Sequence, residues 1–213
     1  MSELNFQIVG ARPERHAAVP TLMFALKIVE TTGIFIHNIV LRCQIRIEPI
    51  RRQYSPGEEA RLAELFGDTP RWGDTMKPFL WTHLSATIPG FRGETEVELP
   101  VACTYDFEIA AAKYLHSLES GDIALLMMFS GSVFEKGEHG MQVSQIPWSK
   151  EATYRLPVRV WQEMIDHYFP NSGWLRLRRE TLSALMRFKA SRALATWDEV
   201  VETLLHDERE RYQ

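Results

Sequence analysis

The clearest pattern in the chain is an alternation. From Ile39 to Ile47, Ile39, Leu41, Cys43, Ile45 and Ile47 fall on one side of an extended strand. Asn38, Val40, Arg42, Gln44, Arg46 and Glu48 fall on the other, and only Val40 is apolar there. Successive strand side chains point to opposite faces, so the period of two predicts one long, half-buried strand over 34–48. Five apolar side chains on one face require a second layer. Pro49 ends the run, because proline cannot donate to a ladder. A similar alternation puts Leu22, Phe24, Leu26 and Ile28 on one face of a strand over 21–30. Thr31, Thr32 and Gly33 then read as a hairpin-like turn, which predicts that these two strands are antiparallel neighbours. Leu4–Val9 alternates weakly and makes a first strand.

Further strands follow. In the one starting at Phe79, Leu80, Thr82, Leu84, Ala86 and Ile88 share one face, and Phe79, Trp81 and His83 the other. Val97, Leu99 and Val101 alternate with Glu94, Glu96 and Glu98, which predicts a strand with a solvated acidic face. Ile123–Phe134 is almost continuously apolar, as in a central strand covered on both faces. Gly131 interrupts it and signals a bulge or a close backbone approach. Met141–Ile146 makes another strand.

Helical spacing appears in five places. Ser55-Pro56-Gly57-Glu58 is a capping box with proline at the first helical position. Phe107, Ala110, Ala111, Tyr114, Leu115 and Leu118 recur with a helical period, with Thr104 or Asp106 as the cap. Pro157 opens a helix with Val158, Trp161, Met164, Ile165 and Tyr168 as its stripe. After a short strand at 174–177, two helices close the chain, the last opened by Thr196-Trp197-Asp198-Glu199. The order predicts an α+β fold: a mostly antiparallel β-sheet or β-sandwich with helices gathered toward the C-terminus. The expected organisation is a β-rich core domain over 1–156 with a C-terminal helical appendage over 157–213 packed on it as one structural unit.

Composition changes this picture little. At 213 residues with 45% apolar and 24% charged side chains, the chain suits one large domain. A net charge of -4 argues against a general polyanion binder. Only two cysteines occur, Cys43 and Cys103, both in strand-like surroundings. With no signal peptide and no apolar run long enough to span a bilayer, the expected setting is cytoplasmic with both thiols reduced, and no membrane insertion is expected.

Candidate chemistry is sparse. The chain has no phosphate loop, no dinucleotide fingerprint, no His-Glu-x-x-His, no Cys-x-x-Cys and no Gly-x-Ser-x-Gly. No two histidines sit at ligand spacing. Cys103, Asp106 and His116 would form a metal site only if the fold assembled them, so no cofactor or metal is expected. His83 beside Trp81 is the pocket candidate, read either as a base in a cleft or as a hydrogen-bonded structural histidine. Asp106 and Glu108 read as an acid/base pair or, more simply, as dipole-favoured caps. Trp72, Phe79 and Trp81 are the candidates for an exposed partner-binding patch. The tail resembles the ribbon-helix-helix layout of small bacterial DNA-binding dimers, in which Trp174, Arg176 and Arg178 would read the groove. The acidic balance weighs against nucleic acid and favours simple packing of the tail.

Six segments carry a wider resemblance: ARPERHAAVPTL (11–22), LRCQIRIEP (41–49), FLWTH (79–83), VACTYDFEIAAAKYLH (101–116), LLMMFSGSVF (125–134) and YFPNSGWLRL (168–177). Together they resemble an uncharacterised bacterial family of about this length whose genes lie near those of actinobacterial-type nickel–iron hydrogenases. The resemblance transfers no catalytic residue. It implies an accessory role in hydrogenase assembly, maturation or stabilisation, with hydrogenase subunits or maturation factors as partners. The sequence leaves open a homo-oligomer, a DNA-binding regulator acting through the tail, and a ligand-binding or enzymatic protein with a pocket between sheet and helices.

Overall fold

The structure is a computed structural model and describes residues 2–103, 109–137, 140–172 and 176–211. The elements run β1 (Leu4–Glu14), β2 (Thr21–Glu30), β3 (Ile36–Ile47), α1 (Pro56–Phe66), α2 (Trp72–Thr75), β4 (Phe79–Phe91), β5 (Glu94–Ala102), α3 (Ala110–His116), β6 (Asp122–Gly137), β7 (Gly140–Gln145), β8 (Glu151–Pro157), α4 (Val158–Tyr168), α5 (Arg179–Ser191) and α6 (Trp197–Arg211). Sheet A has the order β1-β2-β5. Sheet B has the order β4-β3-β6-β7, with β8 also paired to β6. Every pairing is antiparallel.

The alternating faces become the inner layers of a sandwich. Ile39, Leu41, Cys43, Ile45 and Ile47 of β3 are buried, as are Leu22, Phe24, Leu26 and Ile28 of β2. Phe6 of sheet A stacks on Phe129 of sheet B with ring centroids 4.6 Å apart, and Phe24 meets Trp81 and Tyr154 edge to face. Two-sided alternation thus gives two sheets with one shared apolar interior.

Three sequence expectations are corrected. First, β2 and β3 are not hairpin neighbours: β2 pairs with β1 and β5, while β3 pairs with β4 and β6. Their connection carries the chain from one sheet to the other, with Gly33 at φ +79°. An apolar inner face is buried in either arrangement, so the pairing of each strand with its other neighbours sets the crossing. Second, the start of β4 is out of phase with the reading. The β3–β4 register shifts between Ile45 and Arg46, so that Ile45 pairs with Thr82 and Arg46 with Leu80. Past this bulge Phe79 and Trp81 pack against the core and Leu80 is exposed. Third, the nearly continuous apolar run of β6 is not covered on both faces along its whole length. Ile123, Leu125, Met127, Phe129 and Val133 are buried inside, whereas Leu126, Met128 and Phe134 on the outer face are half-buried.

The chain divides into two compact units, 1–174 and 175–213. The stripe of α4, Val158, Trp161, Met164 and Ile165, belongs to the sandwich core, and the Tyr168 hydroxyl donates to the carbonyls of Glu14 (2.8 Å) and Ala17 (2.9 Å). This helix is therefore part of the first unit. The second unit consists of α5 and α6. Residues 176–178 adopt no strand.

Candidate interaction surface

The polar groups inside the first unit serve its architecture. Ser55 caps α1 by accepting from the Glu58 N–H at 3.2 Å, and Glu58 accepts from the Ser55 N–H at 3.0 Å, the predicted capping box. Glu58 is also paired with Arg52 at 2.8 Å, and both side chains are buried. The Glu119 N–H donates to the same carboxylate at 2.8 Å, and Arg52 donates on to the Ser120 carbonyl. Burial opposes the Glu58 charge, but the amides of Glu119 and Ser55 and the Arg52 guanidinium outweigh it and hold the carboxyl below its ordinary value.

Beside this network lies an aromatic cluster of Tyr54, Phe66, Trp72, Phe79 and Tyr114. The Tyr54 hydroxyl donates to the Pro49 carbonyl at 2.7 Å and lies 2.9 Å from the Tyr114 hydroxyl. Burial pushes both phenols up, Tyr114 to about 12. Burial likewise pushes the thiols of Cys43 and Cys103 up to about 12, so neither is a thiolate at neutral pH. His116 packs edge to face on Trp161, and burial holds its imidazole down at about 4, neutral under ordinary conditions.

The residues singled out from sequence are spread over the molecule. Trp72 is buried in the aromatic cluster, with its indole N–H donating to the Gly67 carbonyl at 2.8 Å. Phe79 and Trp81 are half-buried and turned inward. His83 is exposed on the outer face of sheet B, paired across the strands with Gln44. It does not line the open hollow of about 800 Å³ at one end of the sandwich bounded by Phe35, Arg92, Glu135 and Met141. Arg176 and Arg178 are exposed, with Arg178 at the N-cap of α5. Trp174, Asp106 and Glu108 lie outside the described residues. Among the described residues no three His, Cys, Asp or Glu side chains are grouped so as to hold a metal ion, and no helix is long and apolar enough to cross a membrane.

An exposed apolar corner of the first unit lies at the edge of sheet B. Among the described residues, strand β7 is the last strand of its sheet and pairs with β6 alone. An edge strand presents unpaired N–H and C=O groups, and proteins usually blunt it with charge, proline or a bulge. The β5 edge of sheet A follows this rule through Glu94, Glu96, Glu98 and Pro100. Strand β7, GMQVSQ, has no charged residue and no proline. Its outward residues Met141 and Val143 are exposed, and Val143 pairs with half-buried Phe134. In the turn to β8, Trp148 is 92% exposed. This corner was hard to read from sequence. The alternation of Met141–Ile146 announced a strand, but nothing local announced that the strand would end its sheet.

The fold and this corner define a two-sheet antiparallel sandwich with an unguarded apolar edge. The chain belongs to the Family of unknown function (DUF6084), which it matches over residues 1–213. No curated protein matches it. Among solved structures it is similar to the CARDB domain of the PF1109 protein from Pyrococcus furiosus, a complex with di-metal ions (9% identity, TM-score 0.28, covering 73% of this chain and 87% of that one). It is also similar to a beta-glucosidase from Kluyveromyces marxianus (11% identity, TM-score 0.25, 72% and 15%) and to beta-glucosidase 3B from Thermotoga neapolitana (12% identity, TM-score 0.24, 72% and 17%).

Proposed function

We propose that this is a non-enzymatic cytoplasmic accessory protein that works by binding another protein, with β7 as the docking element. The observation that carries the reading is the unguarded edge. Met141 and Val143 are exposed beside a row of open backbone groups, with Trp148 at its corner. An extended apolar segment of a partner can add to such an edge, gaining affinity from main-chain hydrogen bonds and selectivity from alternate side chains. The partner proposed here, a nickel–iron hydrogenase subunit or maturation factor, rests on the family resemblance read in the sequence.

The test is affinity purification of the tagged chain from its native host, beside a Val143→Lys variant. Val143 is more than half exposed, so lysine there guards the edge without opening a cavity. The expected result is recovery of a hydrogenase subunit or maturation factor by the wild type. The variant should recover at least about tenfold less, the effect of one interface anchor, at an unchanged melting temperature. Absence of every hydrogenase protein would overturn the partner. Equal recovery by the variant would overturn the edge.

A further inference from the structure

Helices α5 and α6 bury little, with Leu185 and Phe188 only half-buried. No side chain of α5 is buried, and through Asp207 only Val200 of α6 is. Both helices are nonetheless amphipathic. Trp197, Val201, Leu204 and Leu205 form one stripe along α6, and Leu182 and Met186 lie one turn apart on α5. All six are exposed. Helices of 13 and 15 residues are marginal in water unless an apolar face is covered. Pieces below about 40 residues usually need a disulfide, a metal or oligomerisation to hold together. The unit spans 175–213 and contains neither cysteine.

The charges indicate what completes it. Helix α5 carries Arg179, Arg187 and Lys189 against one acidic residue, Glu180. From 197 to 207, α6 carries Asp198, Glu199, Glu202 and Asp207 and no lysine or arginine. Some of this charge is used within the unit. Arg192 pairs with Asp207 at 3.0 Å, Lys189 donates to the Leu194 carbonyl at 2.6 Å, and Glu199 accepts from the Ala195 N–H at 2.7 Å. Arg179 and Arg187 on α5, and Asp198 and Glu202 on α6, make no ion pair among the described residues. One basic and one acidic helix, each with an exposed apolar stripe, form a self-complementary surface. A two-fold axis places α5 of one copy on α6 of the other, and opposite charges then meet on both sides of the axis.

We infer that α5 and α6 form a self-association surface whose occupant is the same unit of a second copy of this chain. This is independent of the β7 edge, since it rests on different residues.

The experiment is analytical ultracentrifugation of the full chain over roughly 1–100 µM, the range in which a micromolar dimer dissociates. The wild type should sediment as a dimer at the upper end. Leu205→Glu, at a position more than half exposed, should be monomeric there with an unchanged circular dichroism spectrum. Arg187→Glu alone and Glu202→Lys alone should each weaken the dimer at least about tenfold, because each sets like charges against one another. Mixed in equal amounts, these two variants should recover wild-type affinity, since opposite charges then face each other at both contacts. This recovery tests the pairing even if Leu205→Glu fails to fold. A wild type that stays monomeric throughout, or a mixture no tighter than either variant alone, would overturn the proposal.

Discussion

Gly131 is the residue on which the longest strand turns. Its φ is +136°, and a Cβ added there would lie 2.0 Å from the Val40 carbonyl oxygen of the neighbouring strand. The residue falls where β6 changes partners, after Met128 pairs with β8 and before Ser132 pairs with β7. Only glycine fits both the backbone angle and the approach. Gly131→Ala should therefore lower stability by about 3 kcal/mol or more, read as an earlier midpoint in denaturant unfolding with the slope retained. Gly73→Ala is the control: its added methyl meets nothing within 4 Å in α2, so stability should hold or rise slightly. The special role of Gly131 was legible, because a glycine interrupts a nearly continuous apolar run. The inward turn of Phe79 and Trp81 was not legible. It follows from a one-residue bulge, and a bulge leaves no local mark when the residues on both sides are apolar.

At the scale of elements, α1 shows what local chemistry specifies and what it leaves to the fold. Ser55, Pro56 and Glu58 announced the helix start in the sequence, and the capping box is present. Arg52, which makes Glu58 more than a cap, lies outside the capping motif. Its buried partnership depends on the carbonyls of Ser120 and Asp122, both distant along the chain. Glu58→Gln keeps the shape and leaves Arg52 buried without its counter-charge, which should cost roughly 3–5 kcal/mol at neutral pH. The sign of the pH dependence follows from the lowered carboxyl pKa. The charge contributes its full stability above the ordinary value of 4.5, and that contribution is lost as pH falls through the lower folded value. Wild type and variant should accordingly differ most near neutrality and converge in acid, checked by urea unfolding at a series of pH values. The strand partners were less legible for the same reason that Arg52 was. Alternation fixes which face of β2 and β3 is inward, but face-to-face and edge-to-edge neighbours share that pattern, and only the pairing of both strands with others decides between them.

At the scale of the whole molecule, the two units differ in how their stability arises. In the first, β3 lies between β4 and β6, and its inner face is sealed within a core shared by both sheets and α4. In the second, a single described side chain of α5 and α6 is buried. Amide exchange reads this difference directly, because protected backbone opens only by the unfolding of whatever covers it. In dilute solution the amides of α5 and α6 should exchange well before those of β3 and the inner half of β6, with exchange in the tail approaching that of free helices. Raising the protein concentration should then slow exchange in α5 and α6 while leaving β3 unchanged, since association stabilises by mass action only the elements that it covers. A tail as protected as β3 in dilute solution would mean that its apolar stripes are already covered within one chain. A tail that exchanges rapidly at every concentration would mean that a second copy does not cover them. Only concentration-dependent protection confined to 176–211 joins the exposed stripes, the segregated charges and the small size of this unit in one physical account.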